Sequence, residues 1–153
     1  MKIVVQNVKK ASVSVDKKIV GEISHGFCLL VGFTHDDNKE TIEKMADKLL
    51  SLRIFDDENG KTNLSLDDVK GEILSVSQFT LYADVTGGRR PSFVNAMKPN
   101  EAEKLYNYFN DILSLNGYHV EKGIFGAQME VNILNDGPFT VILDSKELIR
   151  WKS

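Results

Sequence analysis

The run Phe27-Cys28-Leu29-Leu30-Val31-Gly32-Phe33 constrains the fold of this chain more than any other stretch. It carries no charge and leaves no polar face to turn toward water, so it predicts a central strand buried on both faces. Cys28 lies inside it as core filling, because a nucleophilic role would need a base partner that no nearby residue provides.

The remaining elements are read around that strand. Residues 2–8 and 11–15 alternate apolar and polar positions, with Lys9-Lys10 between them, which predicts a hairpin or two neighbouring strands. Residues 19–23 form a further short strand. Asp37 and Glu40 have capping-box spacing, with Asp in place of Ser or Thr. Ile42, Met45, Ala46, Leu49 and Leu52 then recur at helical intervals, so a first helix is expected to end near Arg53. Asp56-Asp57-Glu58-Asn59-Gly60-Lys61 is a charged loop with an Asn-Gly turn; it lacks the alternating ligands and distal Glu of a calcium loop.

The apolar stretch 72–81 reads as a strand that delivers the polar groups of Ser77, Gln78 and Thr80 to a rim. Asn100 is expected to cap a second helix, through Ala102, Leu105, Tyr106, Phe109, Ile112 and Leu113, stopped by Asn116-Gly117. Residues 118–122, 128–134 and 139–143 close the chain as strands. Between the last two, Gly137-Pro138 requires a turn and is a candidate for a cis peptide bond. Residues 145–151 read as a short polar tail or helical turn.

A chain of 153 residues is read as one domain, residues 1–153, large enough for its own core. With 42% hydrophobic and 27% charged residues it has the composition of an ordinary globular protein, and no apolar stretch approaches the roughly 20 residues of a membrane-spanning helix. The N-terminus reads as an amphipathic strand in place of a signal peptide. A single cysteine forms no internal disulfide, which fits a reducing cytoplasm. The net charge of −3 argues against a broad nucleic-acid surface, but Lys9, Lys10, Lys17, Lys18, Arg89, Arg90 and Lys98 could form a local basic rim. His25, His35 and His119 lie in separate segments without metal-pair or triad spacing, so no metal and no cofactor are expected. Gly87-Gly88 lacks the surroundings of a phosphate-binding fingerprint. Ser77 and Thr80 have no evident base, which makes them poor nucleophiles.

Four motifs taken together, Ser77-Gln78-Phe79-Thr80-Leu81, Gly88-Arg89-Arg90-Pro91-Ser92-Phe93, Gly123-Ile124-Phe125-Gly126-Ala127-Gln128-Met129 and Asn135-Asp136-Gly137-Pro138-Phe139-Thr140, resemble the D-aminoacyl-tRNA deacylase family. The similarity runs from Met1-Lys2-Ile3-Val4-Val5-Gln6 almost to the C-terminus. It implies a mixed α/β single domain in which two facing β-sheets form a barrel-like sandwich with two helices packed outside. The implied activity is hydrolysis of the ester of D-aminoacyl-tRNA, and of glycine mischarged on tRNA(Ala), by a homodimer with its active site at the subunit interface.

By the same resemblance, the backbone amides of Phe79 and Thr80 stabilise the oxyanion. Ser77 and Gln78 shape the pocket and bind the terminal adenosine region, and Phe125 and Met129 line it. Gly137 and Pro138 enter from the partner subunit and reject L-amino acids. The first and last motifs are therefore expected to meet in space. One departure stands out: family members usually carry Arg after the Gln of the first strand, bracing the Gly-Pro loop, and here that place holds Asn7. Two rival readings are a tRNA-end binding module without turnover and a hydrolase of small D-amino esters, the latter opposed by the missing triad.

Overall fold

A computed structural model describes residues 1–149. Its elements are β1 (Lys2–Val15), β2 (Lys18–Ile23), β3 (Gly26–Gly32), α1 (Lys39–Ser51), β4 (Phe55–Asp56), β5 (Thr62–Leu64), β6 (Glu72–Ser77), a 3₁₀ turn (Phe79–Tyr82), α2 (Pro99–Leu115), β7 (Val120–Lys122), β8 (Glu130–Asp144) and α3 (Ser145–Ile149). The part of the expected C-terminal tail beyond Ile149 lies outside the described residues.

The expected mixed α/β domain is what forms. The apolar run becomes β3, antiparallel to β1 and parallel to β6. Its alternate side chains serve two cores, as a strand period of two requires. Phe27, Leu29 and Val31 face a layer containing Met45 and Leu49 of α1 and Tyr106 and Phe109 of α2. Cys28 and Leu30 face an inner core with Val8, Val13, Ile23, Leu74 and Val76. The sheet runs β2-β1-β3-β6-β7, with β8 on the far edge of β1. It rolls until its ends meet, where the Glu22 amide donates to the Glu121 carboxylate at 3.3 Å. The result is a nearly closed barrel-like sheet.

Several local expectations are corrected. Residues 2–15 are one strand, not a hairpin: β1 changes neighbour at Lys9-Lys10, pairing β3 before it and β2 after it. β8 is likewise a single strand, antiparallel to β1 along its length, so the chain does not reverse at Gly137-Pro138. Instead β8 takes five steps from Asn135 to Thr140 where β1 takes two from Val8 to Gln6, and residues 136–139 stand out as a bulge opposite Asn7. The Gly137–Pro138 peptide bond is cis.

Both helix starts also move. Asn38, not Asp37, caps α1, in a reciprocal box with Thr41. Asp37 is taken by the chain's own ammonium group, which it meets at 2.8 Å, and by the Thr34 amide. α2 begins at Pro99 with no side-chain cap at Lys98, because proline's fixed φ suits a first helical position. Finally, β6 stops at Ser77, and the expected strand to Leu81 is replaced by the 3₁₀ turn.

Candidate active site

The stop at Ser77 creates the site. The Gln78 amide donates to the Val31 carbonyl at 2.8 Å, which holds the chain against the end of β3 before it winds into the turn. A 3₁₀ turn leaves its leading amides without a partner inside it. The Phe79 and Thr80 N–H groups are those amides, and no carbonyl or side chain among the described residues accepts from either. Gln78 donates its side-chain amide to the Thr80 hydroxyl, which fixes both polar side chains beside them.

Ser77, Gln78, Phe79 and Phe125 line one small cleft of about 50 Å³, closed by Gly32 and Met97. Phe79, 55% exposed, forms its mouth. The Tyr106 hydroxyl donates to the Ser75 carbonyl at 2.7 Å, and the Gly123 amide reaches the same carbonyl at 3.1 Å. Those two bonds lock α2 and the segment bearing Phe125 to β6. Lys2 lies against the 3₁₀ turn, its Nζ 3.4 Å from the Leu81 carbonyl and 4.8 Å from the centre of the Tyr82 ring.

Gly32 lines the candidate site and was not among the expected site residues. A Cβ there would lie 2.8 Å from the Gln78 carbonyl oxygen and 3.1 Å from the Leu81 Cβ, so only glycine lets the turn sit this close to β3. The available signal was a glycine inside an otherwise apolar strand, a mark of close backbone approach.

The other expected site residues lie elsewhere in the chain. Met129 packs against the inner core and beside Gly123, not in the cleft. Gly137 and Pro138 are exposed on β8 opposite Asn7, whose β3 neighbour is Phe27, whereas Ser77 faces Val31. That is four residues, or about 13 Å, along the strands and three strands across. Within one chain the two motifs do not meet. Asn7 does not brace the loop either. Its Nδ2 donates to the Ile54 carbonyl at 2.7 Å on the helical side, and its Oδ1 is buried without a partner among the described residues. The polar contact at the base of the loop runs from Asn135 to Gln6, at 3.4 Å.

Nothing in the cleft is a nucleophile paired with a base. His25 packs on Phe55, His35 contacts the Val94 carbonyl at 2.7 Å, and His119 sits beside Glu72 and Glu121. Burial pushes the Cys28 thiol up to about 12, which keeps it protonated and inert. Among the described residues no three His, Cys, Asp or Glu side chains are arranged to hold a metal ion, and no helix is long and apolar enough to cross a membrane. A larger cavity of about 560 Å³ lies between α1 and α3 and shares no lining residue with the cleft. What the cleft offers is a pair of free main-chain donors over a small, partly apolar pocket, an arrangement suited to stabilising an oxyanion.

Comparison with known proteins identifies the family. Residues 4–144 match the family model described as D-Tyr-tRNA(Tyr) deacylase. The chain is 55% identical over 146 residues to a D-aminoacyl-tRNA deacylase of Bacillus cytotoxicus and 56% identical over 147 residues to one of Bacillus pumilus. The matches cover 95% and 96% of this chain and the whole of each relative. A solved structure described as a c-Myc DNA unwinding element binding protein is 43% identical and superposes with a TM-score of 0.89, covering 94% of this chain and 98% of its own. A second, described as a probable eukaryotic D-amino acid tRNA deacylase, is 19% identical with a TM-score of 0.82 over 93% and 97% of the two chains, and shares the fold. A family match spanning residues 4–144 and relatives more than half identical along their full length place this chain in the D-Tyr-tRNA(Tyr) deacylase family.

Proposed function

We propose that the chain hydrolyses the ester of D-aminoacyl-tRNA, releasing free tRNA and the D-amino acid. The observation that carries this reading is the pair of unpartnered Phe79 and Thr80 amides over a cleft with no nucleophile and base. An aminoacyl ester is already labile, and its neighbouring 2'-hydroxyl can position water. The protein then has to hold the ester and stabilise the oxyanion that develops when water adds, which two preorganised N–H donors can do. Ser77, Gln78 and Phe125 hold the terminal nucleoside and acyl group against those donors.

The cleft of one chain is far below the several hundred Å³ of a typical ligand pocket, so we read it as one wall of a site completed by a second copy. β8 supports that reading. Its only strand partner among the described residues is β1, and it exposes Leu134 at 52% and Ile142 at 64% along an edge that a soluble protein normally covers. The same strand carries Gly137-Pro138, so a copy docked on it would meet that loop. In the homodimer, the main-chain carbonyls of Gly137 and Pro138 hold the substrate's α-amino group. An L side chain would then run into backbone, whereas a D side chain points outward and glycine also fits, which extends the substrates to Gly-tRNA(Ala). A charged-tRNA substrate fits a cytoplasmic protein.

The test is release of amino acid from tRNA charged with D-tyrosine and with L-tyrosine. Rapid release of D-tyrosine alone is expected. Tight binding with no release would leave a tRNA-end binding module in its place.

A further inference from the structure

We propose that residues 86–91 form a second, RNA-facing part of the site, in which Arg89 and Arg90 grip the phosphodiester backbone of the tRNA beyond its terminal nucleoside. This rests on the function proposed above and extends it from the ester to the polynucleotide that carries it.

Charge is the first argument. Between Asp84 and Glu101 the sequence holds Arg89, Arg90 and Lys98 and no acidic residue, in a chain whose net charge is −3. A protein with so little overall attraction for nucleic acid needs its cations gathered where the substrate enters.

Placement is the second. The segment follows directly on the 3₁₀ turn, and its base is stapled to the site. Asp84 and Ser92 exchange two backbone hydrogen bonds, of 2.8 and 2.9 Å. Phe93 stands edge-on to Phe79 with ring centres 5.0 Å apart. Beyond it, His35 holds the Val94 carbonyl, and the Met97 amide donates to the Phe33 carbonyl at 3.0 Å. The one carboxylate at the base, Asp84, is occupied by its own loop: the Thr86 hydroxyl and then the Thr86 amide hold it below the usual carboxylate range. Among the described residues it makes no ion pair with either arginine.

Between those staples both arginines are exposed, and among the described residues neither makes an ion pair or a side-chain hydrogen bond. A weakly hydrated, planar guanidinium fork fits a phosphate on two oxygens. A tip loaded in this way and rooted on Phe79 binds the polyanion in a fixed relation to the oxyanion turn.

The experiment is equilibrium binding of an uncharged tRNA transcript to the full chain, read by fluorescence anisotropy between about 50 and about 200 mM salt. For the double variant Arg89→Ala/Arg90→Ala the expected result is weaker binding, with the slope of log Kd against log salt reduced by about 1.4–1.8, or about 0.7–0.9 per lost phosphate contact. Over that range of salt the wild type then loses about tenfold more affinity than the variant. Arg89→Lys/Arg90→Lys should keep the wild-type slope, because charge sets counterion release. An alanine variant with the wild-type slope overturns the proposal, as does a lysine variant that loses the slope, or a wild-type chain that does not bind the transcript. Binding is scored without turnover. A wild-type chain that binds with the expected slope yet releases no D-tyrosine would end the hydrolase reading and leave the phosphate site standing.

Discussion

The Tyr106 hydroxyl donates to the Ser75 carbonyl across the interface between α2 and β6, two residues before the strand gives way to the 3₁₀ turn. The same ring packs on Phe125, with centres 5.8 Å apart. Tyr106→Phe removes the bond and keeps the ring, and since the Gly123 amide still reaches that carbonyl, the expected cost is about 1 kcal/mol. Tyr106→Ala also removes the packing and should cost about 3–5 kcal/mol. Urea denaturation of the two variants separates bond from ring; equal losses would refute this division.

Gly32→Ala tests whether the position of the turn matters to the reaction. The added methyl would meet the Gln78 carbonyl at 2.8 Å, and backbone cannot step aside as a flexible side chain can. The turn has to move outward, and because a shift of roughly 1 Å can cost about a hundredfold in rate, kcat/KM on D-tyrosyl-tRNA should fall by about tenfold or more. Overpacking should cost stability by about 1–3 kcal/mol. An unchanged kcat/KM would mean that the turn does not hold the reacting ester.

Thr80→Ala leaves the main-chain donors in place and removes a hydroxyl that already accepts from Gln78. Activity on D-tyrosyl-tRNA should persist at a substantial fraction of wild type. Complete inactivation of a normally folded variant would point to a side-chain nucleophile.

Gly137 has φ +122°, and a Cβ there would lie 2.9 Å from the Phe139 amide nitrogen. Gly137→Ala must therefore reshape the exposed bulge, at a cost of about 1–3 kcal/mol. The expected functional result is loss of discrimination, seen as release of L-tyrosine from L-tyrosyl-tRNA. Full retention of D/L selectivity would remove this loop from the chiral filter.

Burial pushes the Cys28 thiol from 9.0 up to about 12, so the folded chain keeps its proton to a higher pH than the unfolded chain. Stability from this group is intact below about pH 9 and is lost as pH rises above it, by about 1.4 kcal/mol per unit. Between pH 9 and 10 the urea midpoint of the wild type should drop more steeply than that of Cys28→Ala. The native thiol should also resist alkylation at pH 8, and rapid labelling of folded protein would contradict the burial.

Local pattern was enough for much of this molecule. An uncharged seven-residue run has one low-energy fate, and β3 is buried on both faces, while the helical periodicity of Ile42, Met45, Ala46 and Leu49 became the buried face of α1. The motif that supplies Ser77, Gln78 and Phe79 was legible too, and the fold brings Phe125 to it. Other features depended on partners distant in the sequence. Lys9-Lys10 looks like a turn until β8 is seen pairing β1 straight through it, and Gly137-Pro138 looks like a reversal until the same ladder holds its direction on both sides. Asp37 looks like a cap until the ammonium group of residue 1 claims it. Residue types and their spacing determined which segments must be covered and which groups could do chemistry, because burial and periodicity act over a few residues. Only the tertiary structure decided where β6 ends, that Gly32 must be bare for the turn to fit, and that the two motifs stand apart within one chain, because these follow from hydrogen bonds and contacts between segments that meet only once the sheet has rolled up.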